Sequence, residues 1–442
     1  MSESIPQVLQ YGVSQSMFRT NEFACYPQEG QQNANGRFTV KLPSKSIVDL
    51  SSLRAVWDLA VSVTADATNF TNAGHPAAWQ LFRSIQFVVG GSSVSGHQCQ
   101  HYNVIYTALA KATGNLEWVR NHLNEGASAL ESCAKALEFD NTNSALNGNP
   151  GLASKNIRLS MNDFLGLPRG NGGDLYLDTS LFGDVSIIFE LDNNTVLPSY
   201  KGGTGSISTI GFTLSNFVVN VKCVTSVSPL YVELLAMKLK SKSPIRIPFE
   251  NMISSLQNNS TTARLSVNTS CLDKLLILPH ADNPATNVDT PAATVIAVPK
   301  FKFDSGRDKT NMNLTRLQVR IGSESYPKQQ IQNAMDIACI TEDTISGSAA
   351  DRNNLLFLGS TAGGANEFKR ENFLSNNCIF YQKYCLQEGW AQGKNLTGIS
   401  SNGSQLDIVA DYQNFGSYQL MCAFTTSQLI YDPESGTVSV EA

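Results

Sequence analysis

The sequence predicts an all-β protein with a few helices, built from two tandem copies of one β-sandwich module. Three observations predict this fold class: the length of the chain, a series of short strand-like segments between turn residues, and an internal similarity between the two halves. A chain of 442 residues exceeds what one hydrophobic core usually organises. We therefore expect two modules of roughly 200 residues each.

Composition supports a globular β protein whose surface is largely covered by neighbours. Apolar residues make up 42% of the chain, and charged residues make up only 16%, against roughly 25% in an average domain. Asn, Ser, Thr and Gly carry the polarity, as in many β-edges and loops. The net charge of −5 creates no basic field for phosphates, so we expect no sequence-specific nucleic-acid binding. The most basic stretch, with Lys238, Lys240, Lys242 and Arg246, is interpreted as a solvated face.

Cysteine usage predicts a reduced, intracellular protein. The nine cysteines are odd in number, form no C-x-x-C pair and are interpreted mainly as small core residues. Met1 to Gln15 lack the features of a signal peptide, and no apolar run reaches the length of about 18 residues that a membrane span needs.

Strand signals run from the first module to the last residues of the chain. Segments such as Arg37–Leu42 are rich in β-branched and aromatic residues and end at Pro or polar turns. Further strands are predicted at Leu53–Val63, Ser84–Val89, Asn156–Ser160, Val185–Leu191, Phe212–Val224, Ile245–Phe249, Thr262–Val267, Lys274–Leu278, Leu314–Ile321, Cys378–Leu386, Leu406–Ala410 and Tyr418–Leu429.

Three helices interrupt the strands. Apolar residues recur at helical spacing in two places: Tyr102, Ile105, Tyr106 and Leu109, and then Leu130, Cys133, Ala134 and Leu137. A third helix is predicted over Pro229 to Leu239, because Ser228 and Pro229 suit its N-cap and first turn, although a strand there stays open.

The two halves echo each other in three places. IQFVVG at Ile85–Gly90 matches LQVRIG at Leu317–Gly322, and each is followed by a Ser-containing turn and a helical segment, the second of which carries Ile331, Ala334, Met335 and Ala338. VKLP at Val40–Pro43 matches IRIP at Ile245–Pro248, and NDFL at Asn162–Leu165 matches ENFL at Glu371–Leu374. Their shared order favours duplication of one β-module.

These segments resemble the double jelly-roll major capsid proteins of tailless icosahedral double-stranded DNA viruses, and among them those of polinton-like viruses and virophages. The resemblance is carried by VKLPSKSIVDL from Val40, IQFVVGG from Ile85 with YNVIYTALAKA from Tyr102, SPIRIPFENMISS from Ser243, and YQLMCAFTTSQLIY from Tyr418. It implies two tandem eight-stranded jelly-roll sandwiches, at residues 23–226 and 227–442, after an N-terminal arm at 1–22. We expect that polar arm to order only against neighbouring subunits or the inner shell.

The resemblance also implies a structural function. Two similar lobes per chain would let a homotrimer present six lobes, approximate a hexagon and tile an icosahedral shell around a double-stranded DNA genome. The implied partners are neighbouring trimers and penton and minor capsid proteins, and the implied location is the virion, assembled inside the host cell. A minor capsid or penton protein is usually a single jelly roll, so the duplication favours the major subunit.

Residues that could carry chemistry do not form a motif, and the sequence predicts no catalytic, cofactor-binding or metal-binding residue, no small-molecule substrate and no enzyme activity. The Gly-rich stretch Gly202–Gly205 lacks the lysine of a phosphate loop, and His97 and His101 lack the glutamate of a zinc-protease motif. Glu342 and Asp343 are interpreted as an exposed turn. The four tryptophans (Trp57, Trp79, Trp118, Trp390) are interpreted as core or interface residues, and Tyr102 and Tyr106 as a core stripe.

Two other classes remain open at this point. The alternative function is a carbohydrate-binding or adhesion protein built of two β-sandwich domains, which paired cysteines or calcium-binding acidic clusters would favour. A β-rich hydrolase is the second rival, and glycan turnover by the purified protein would decide for it.

Overall fold

Antiparallel sheets dominate the structure, a computed structural model of the chain. It describes residues 18–27, 31–64, 70–73, 77–113, 157–162, 164–167, 176–197, 199–202, 209–227, 229–258, 261–269, 271–280, 299–301, 303, 316–332, 334–345, 378–384, 398–400, 406–413 and 416–441.

The first half contains two four-stranded sheets with short additions. Its strands are β1 (Phe18–Cys25), β2 (Gln31–Asn33), β3 (Arg37–Lys41), β4 (Ile47–Thr64), β5 (Phe70–Ala73), β6 (Phe82–Val89), β7 (Ser92–Ser95), β8 (Ile157–Met161), β9 (Tyr176–Asp178), β10 (Val185–Leu191), β11 (Ser199–Gly202) and β12 (Thr209–Val227). One sheet has the order β1-β12-β4-β8, and in it β2 also pairs with β12 and β9 also pairs with β4. The other sheet has the order β3-β10-β6-β7. A separate ribbon pairs β5 with β11.

The second half repeats this arrangement. Its strands are β13 (Ile245–Asn258), β14 (Thr262–Val267), β15 (Leu272–His280), β16 (Arg316–Ile321), β17 (Glu324–Ile331), β18 (Phe380–Lys383), β19 (Leu406–Gln413), β20 (Tyr418–Asp432) and β21 (Thr437–Glu441). One sheet has the order β13-β20-β15-β18, with β21 on β20, and the other has the order β14-β19-β16-β17.

The two halves share one strand order. When the eight main strands of each half are counted along the chain, both halves pair the first strand with the eighth, the eighth with the third and the third with the sixth. In the opposing sheet, both pair the second with the seventh, the seventh with the fourth and the fourth with the fifth. This is jelly-roll topology, found twice, so the predicted fold class is confirmed. We call residues 18–227 lobe 1 and residues 245–441 lobe 2.

Two of the four α-helices among the described residues occupy equivalent places in the two lobes. The four are α1 (Tyr102–Thr113), α2 (Thr179–Phe182), α3 (Pro229–Lys240) and α4 (Ala334–Ile345). Helices α1 and α4 both lie in the connection between the fifth and sixth strands, whereas α3 joins the lobes. The helices predicted at Tyr102 and Pro229 are confirmed, and the one predicted at Leu130–Leu137 lies outside the described residues.

The first sequence echo marks equivalent strands. IQFVVG lies in β6 and LQVRIG in β16, and each is the fourth strand of its lobe. Both strands turn at a glycine with positive φ, Gly90 at 58° and Gly322 at 60°. Glycine tolerates this conformation, and the two-residue hairpins that pair Val89 with Ser92 and Ile321 with Glu324 require it.

The other two echoes do not mark equivalent positions. Val40–Pro43 ends the second strand of lobe 1, whereas Ile245–Pro248 opens the first strand of lobe 2, so this prediction is wrong. A strand next to a proline is common in β proteins and does not specify topology. Asn162–Leu165 follows the sixth strand of its lobe, whereas Glu371–Leu374 precedes the sixth strand and lies outside the described residues.

The structure also corrects two local predictions. Phe18 to Glu22, predicted as part of an arm that orders only against neighbours, belong to β1 and pair with β12 of the same chain. Backbone pairing along the 19-residue β12 needs no apolar periodicity in its partner, so the pattern did not reveal the strand. Ile331, assigned to a helical segment, is the last residue of β17, and α4 begins at Ala334.

The sandwich of lobe 1 is held by aromatic side chains. Trp57 from one sheet packs edge to face on Phe82 from the other, with ring centroids 5.2 Å apart. Phe189 and Phe217 meet across the sheets at 5.0 Å, and Phe38 contacts both of them. Lobe 2 uses mainly aliphatic and sulfur-containing residues, among them Leu265, Leu276, Ile277, Met421 and Cys422.

Candidate assembly surfaces

The residues first considered for chemistry are dispersed in the structure. His97 is exposed in a turn and His101 precedes α1, so the two do not share a helix face. No group of three or more His, Cys, Asp or Glu side chains that could hold a metal forms among the described residues. Glu342 and Asp343 lie on helix α4, and the predicted exposed turn is wrong. No helix in the described part of the chain is long and apolar enough to cross a membrane.

Several side chains have the structural role predicted for them. Trp57 and Trp79 are fully buried, and Trp79 Nε1 donates to Thr107 Oγ1 at 3.0 Å. Tyr102 and Tyr106 are buried too. Six cysteines (Cys25, Cys99, Cys223, Cys271, Cys378, Cys422) are buried and reduced, and Cys339 is exposed. Trp118, Trp390, Cys133 and Cys385 lie outside the described residues.

The extended contact between the lobes is the main architectural feature of the chain. The segment that leaves β7 of lobe 1 runs along β13, the first strand of lobe 2. Ser254 N donates to Gln98 O at 3.1 Å, and Gln100 N donates to Ser254 Oγ at 3.2 Å. Further along the strand, Ser95 Oγ donates to Glu250 O at 2.7 Å. Lobe 1 therefore satisfies polar groups at the free edge of β13.

A buried ion pair joins the lobes at a second point. Lys300, in a short helical turn of lobe 2, pairs with Asp192, which follows β10 of lobe 1, and both side chains are almost fully buried. Asn103 Nδ2, on α1, donates to the same carboxylate at 2.6 Å. The pKa of His101 is lowered to about 4 by burial first and by the charge of Lys300 second. An ion pair out of water is stable only when its geometry and hydrogen bonds are good, so this contact fixes the lobes in one arrangement.

Burial of the eighth strands shows which sheet the junction covers. In lobe 2, β20 is buried at every residue from Gln419 to Ser427, so both of its faces are covered. In lobe 1, β12 alternates, with Phe212, Leu214 and Phe217 buried and Thr213 and Ser215 partly exposed. The long apolar run of β20 is therefore explained by a sheet covered on both sides.

Within the described part of lobe 1, three large apolar side chains are exposed. Phe23, on edge strand β1, is 40% exposed, and Tyr26, just after that strand, is 70% exposed. Tyr176, on β9 at the opposite edge of the same sheet, is 45% exposed. A row of exposed residues, and a backbone edge that pairs with no strand among the described residues, make β1 a natural template for another chain.

The basic stretch is partly neutralised by acidic side chains. Lys242 Nζ lies 3.1 Å from Glu434, and Arg246 lies 3.3 Å from Glu441, all at the surface. Exposed pairs of this kind contribute little to stability. Their presence fits the interpretation of this stretch as a solvated face.

The repeated strand order and the paired lobes define the class of fold as a double jelly roll. Solved structures share it: PBCV-1 VP54, fitted into a reconstruction of the virophage Sputnik, matches with a TM-score of 0.57 and 10% identity over 97% of each chain. The Sputnik virophage structure matches at 0.52 and 10% identity over 96% of this chain and 88% of that one. The Faustovirus major capsid protein matches at 0.52 and 9% identity over 97% and 92%. No protein-family model and no curated protein sequence matches the chain.

Sequence reasoning missed the edge strands and the contacts between the lobes. Strands β1, β7 and β17 were not predicted, because they are short or polar and lie at sheet edges. The junction pairs residues about 155 positions apart, such as Ser95 and Glu250. The one available signal was the unbroken apolar run in β20, which indicates a sheet covered on both faces.

Proposed function

We propose that the chain is a structural major capsid protein that forms a homotrimer and tiles an icosahedral viral shell around a double-stranded DNA genome. One observation carries the proposal: the two lobes have the same strand order and are held side by side by a buried junction. One molecule thus supplies two similar building blocks. Three molecules supply six, which is the number needed to imitate a hexagon.

The structural neighbours support the capsid function. The Faustovirus neighbour is a major capsid protein, and the Sputnik neighbour comes from the structure of a virophage. A match in fold over nearly the whole chain favours the same kind of subunit here, in the virion of a polinton-like virus or virophage. Neighbouring trimers, penton proteins and minor capsid proteins are then its partners, and catalysis is not its function.

Native mass spectrometry and electron microscopy of the purified protein test this proposal together. We expect a particle with the mass of three chains and a hexagonal outline in projection. A monomer at micromolar concentration, or a trimer with a three-lobed outline, would contradict the proposal.

Glycan binding separates the proposed coat subunit from the adhesion alternative. A monomer that binds an immobilised glycan with saturable affinity would support the adhesion protein and overturn the coat subunit. Hydrolysis of a glycan by the same preparation would support the hydrolase. We expect neither.

The proposed division of the chain into two jelly rolls has support from strand pairing, although β12 ends at Val227, one residue beyond the predicted boundary between 226 and 227. Among the described residues, no strand of 18–227 pairs in a sheet with a strand of 245–441. Along the chain, helix α3 lies between the last strand of lobe 1 and the first strand of lobe 2.

A further inference from the structure

The junction between the lobes is directional. It joins the fifth-strand side of lobe 1, formed by β7 and the segment after it, to β13, the first strand of lobe 2. In each molecule, the two corresponding surfaces, each on the other lobe, take no part in this junction. We call them the leftover surfaces. They are β1, the first strand of lobe 1, and β17, the fifth strand of lobe 2.

Both leftover surfaces are exposed, whereas their counterparts in the junction are covered. In β1, all five residues from Thr20 to Ala24 are exposed, and among the described residues this strand pairs only with β12. In β17, Glu324, Lys328 and Gln329 are exposed. By contrast, Ser95 of β7 and Met252 of β13 are buried.

The two equivalent helices differ in the same way. Helix α1 is buried at every residue from Tyr102 to Ala110, because α4 and the turn that carries Lys300 in lobe 2 pack against it in addition to β6 and the turn at Ala78–Leu81 in lobe 1. Helix α4 leaves Asp336, Cys339 and Asp343 exposed. Helix α4 contacts α1 of lobe 1, but that contact leaves these three side chains uncovered.

We propose that a second copy of this chain covers the leftover surfaces: β17 and α4 of lobe 2 dock on edge strand β1 in lobe 1 of the next molecule, which repeats the contact made within the chain. The inference rests on the proposed trimer and names its interface. A head-to-tail contact that turns by one sixth of a circle at each lobe closes after six lobes, which is three chains.

The chemistry of the two edges suits a contact made mainly by side chains. Pro327 removes a backbone donor from β17, and Lys328 is the kind of residue that protects an edge strand from indiscriminate pairing. The contact inside the chain has the same character: among the described residues it has one backbone bond, Ser254 N to Gln98 O, supported by the Ser95 and Asn251 side chains. We therefore expect a polar interface with Phe23 as its apolar element.

Disulfide trapping tests the interface in the full chain. The background is the Cys339→Ser variant, which removes the exposed thiol among the described cysteines. Glu22→Cys or Ala24→Cys is combined with Lys328→Cys or Gln330→Cys, which gives four double variants. After mild oxidation, we expect at least one to yield covalent dimers and trimers on a non-reducing gel, and reduction to return them to monomer.

Tyr176→Cys with Lys328→Cys is the matched control, because Tyr176 is exposed at the opposite edge of the sheet that contains β1. The four single variants control for the native thiols. We expect neither the control pair nor the single variants to form covalent trimers. Cross-linking of the control pair as efficient as that of the β1 pairs would overturn the proposed interface.

A second measurement does not depend on disulfide geometry. Phe23→Asp should move most of the native mass from trimer to monomer, whereas Tyr176→Asp should leave it as trimer. A wild-type trimer that tolerates Phe23→Asp and cross-links in none of the four double variants would refute this interface and leave the trimer intact. A wild-type monomer would instead refute the proposed function itself.

Discussion

At the residue scale, the charge pair of Asp192 and Lys300 is the most consequential contact between the lobes. Each side chain is buried, and Asn103 Nδ2 donates a hydrogen bond to the Asp192 carboxylate. A buried charge that loses its partner has no water to replace it. The pair therefore makes the relative position of the lobes sensitive to a single substitution.

Removal of either partner should destabilise the protein strongly. We expect Lys300→Met and Asp192→Asn each to lower the free energy of unfolding by about 3 kcal/mol or more, because each leaves the other group buried and uncompensated. The double variant should be less destabilised than the sum of the two. Chemical denaturation of all three variants measures this coupling, and strict additivity would count against a direct pair.

His101 should make stability depend on pH. Its pKa in the folded protein is about 4, below the usual 6.5, because burial disfavours the charged ring; Lys300 and Arg83 lower it further and Asp192 opposes them. Between these two pH values, the unfolded chain binds a proton at His101 that the folded chain does not bind. The free energy of unfolding therefore has its full value, as far as His101 is concerned, above pH 6.5, and it falls as the pH drops toward 4. The loss is at most about 3 kcal/mol.

Denaturation midpoints at pH 7, 6 and 5 check this dependence. His101→Gln should flatten the curve between pH 6.5 and 5, while the acid limb due to carboxylates remains. If the variant loses as much stability as the wild type over that interval, His101 is not the responsible group.

Phe87 and Val319 occupy matching positions in the fourth strands of the two lobes, and both are buried as the sequence predicts. Phe87→Asp or Val319→Asp should abolish soluble protein, since an unpaired buried charge costs several kcal/mol, which is about the stability of a domain. Val88→Asp and Gln318→Asp are matched controls on the same strands, because both residues are partly exposed. Soluble expression is the measurement, and normal yield of both core variants would contradict the predicted orientation.

At the element scale, the turns after the fourth strands depend on glycine to different degrees. Gly90 has a positive φ, and a Cβ there would lie 2.6 Å from the carbonyl oxygen of Phe182. Gly91 also has a positive φ, but a Cβ there would meet nothing within 4 Å. Gly322 is the counterpart of Gly90 in lobe 2. Like Gly91, it has room for a Cβ, which would lie 4.0 Å from the nearest atom, Leu406 Cδ1.

Alanine substitutions should separate steric overlap from backbone strain. Gly91→Ala and Gly322→Ala should each cost about 1 kcal/mol, the penalty for an L-residue at positive φ. Gly90→Ala should cost clearly more, because the backbone of α2 must also move. Thermal unfolding of the three variants gives the order, and equal shifts would show that the packing against Phe182 is not tight.

Prediction from sequence succeeded for elements whose burial alternates. Strands β3 and β10 show strict alternation of buried and less buried residues, and their predicted bounds differ from the observed ones by at most one residue. It failed for β7 and β17, whose partly exposed residues carry little periodic signal. An edge strand is defined by its neighbour's backbone, and a local pattern does not encode that neighbour.

At the scale of the whole molecule, the buried junction links the lobes into one structural unit. Their cores are continuous, and Phe182 of lobe 1 packs edge to face on Tyr431 of lobe 2 with centroids 6.0 Å apart. The duplication could be predicted from IQFVVG and LQVRIG. The side of each lobe that forms the junction could not, because pairs such as Asp192 and Lys300 are related only by the fold.

The lobes should unfold together. We expect a single calorimetric transition, because exposure of the junction after loss of one lobe would leave β20 with an uncovered apolar face. Lys300→Met should lower the temperature of that transition. Two well-separated transitions in the wild type would show that the lobes are independent.

The covalent link between the lobes also has a kinetic consequence. In the proposed trimer, half of the lobe-to-lobe contacts would form within single molecules, at an effective local concentration on the order of millimolar that does not change with dilution. Only three bodies must then meet, so ring formation depends on a lower power of protein concentration than it would with six separate sandwiches. If the proposed trimer forms, a duplicated chain of this kind completes its ring at a lower protein concentration than six separate sandwiches would need.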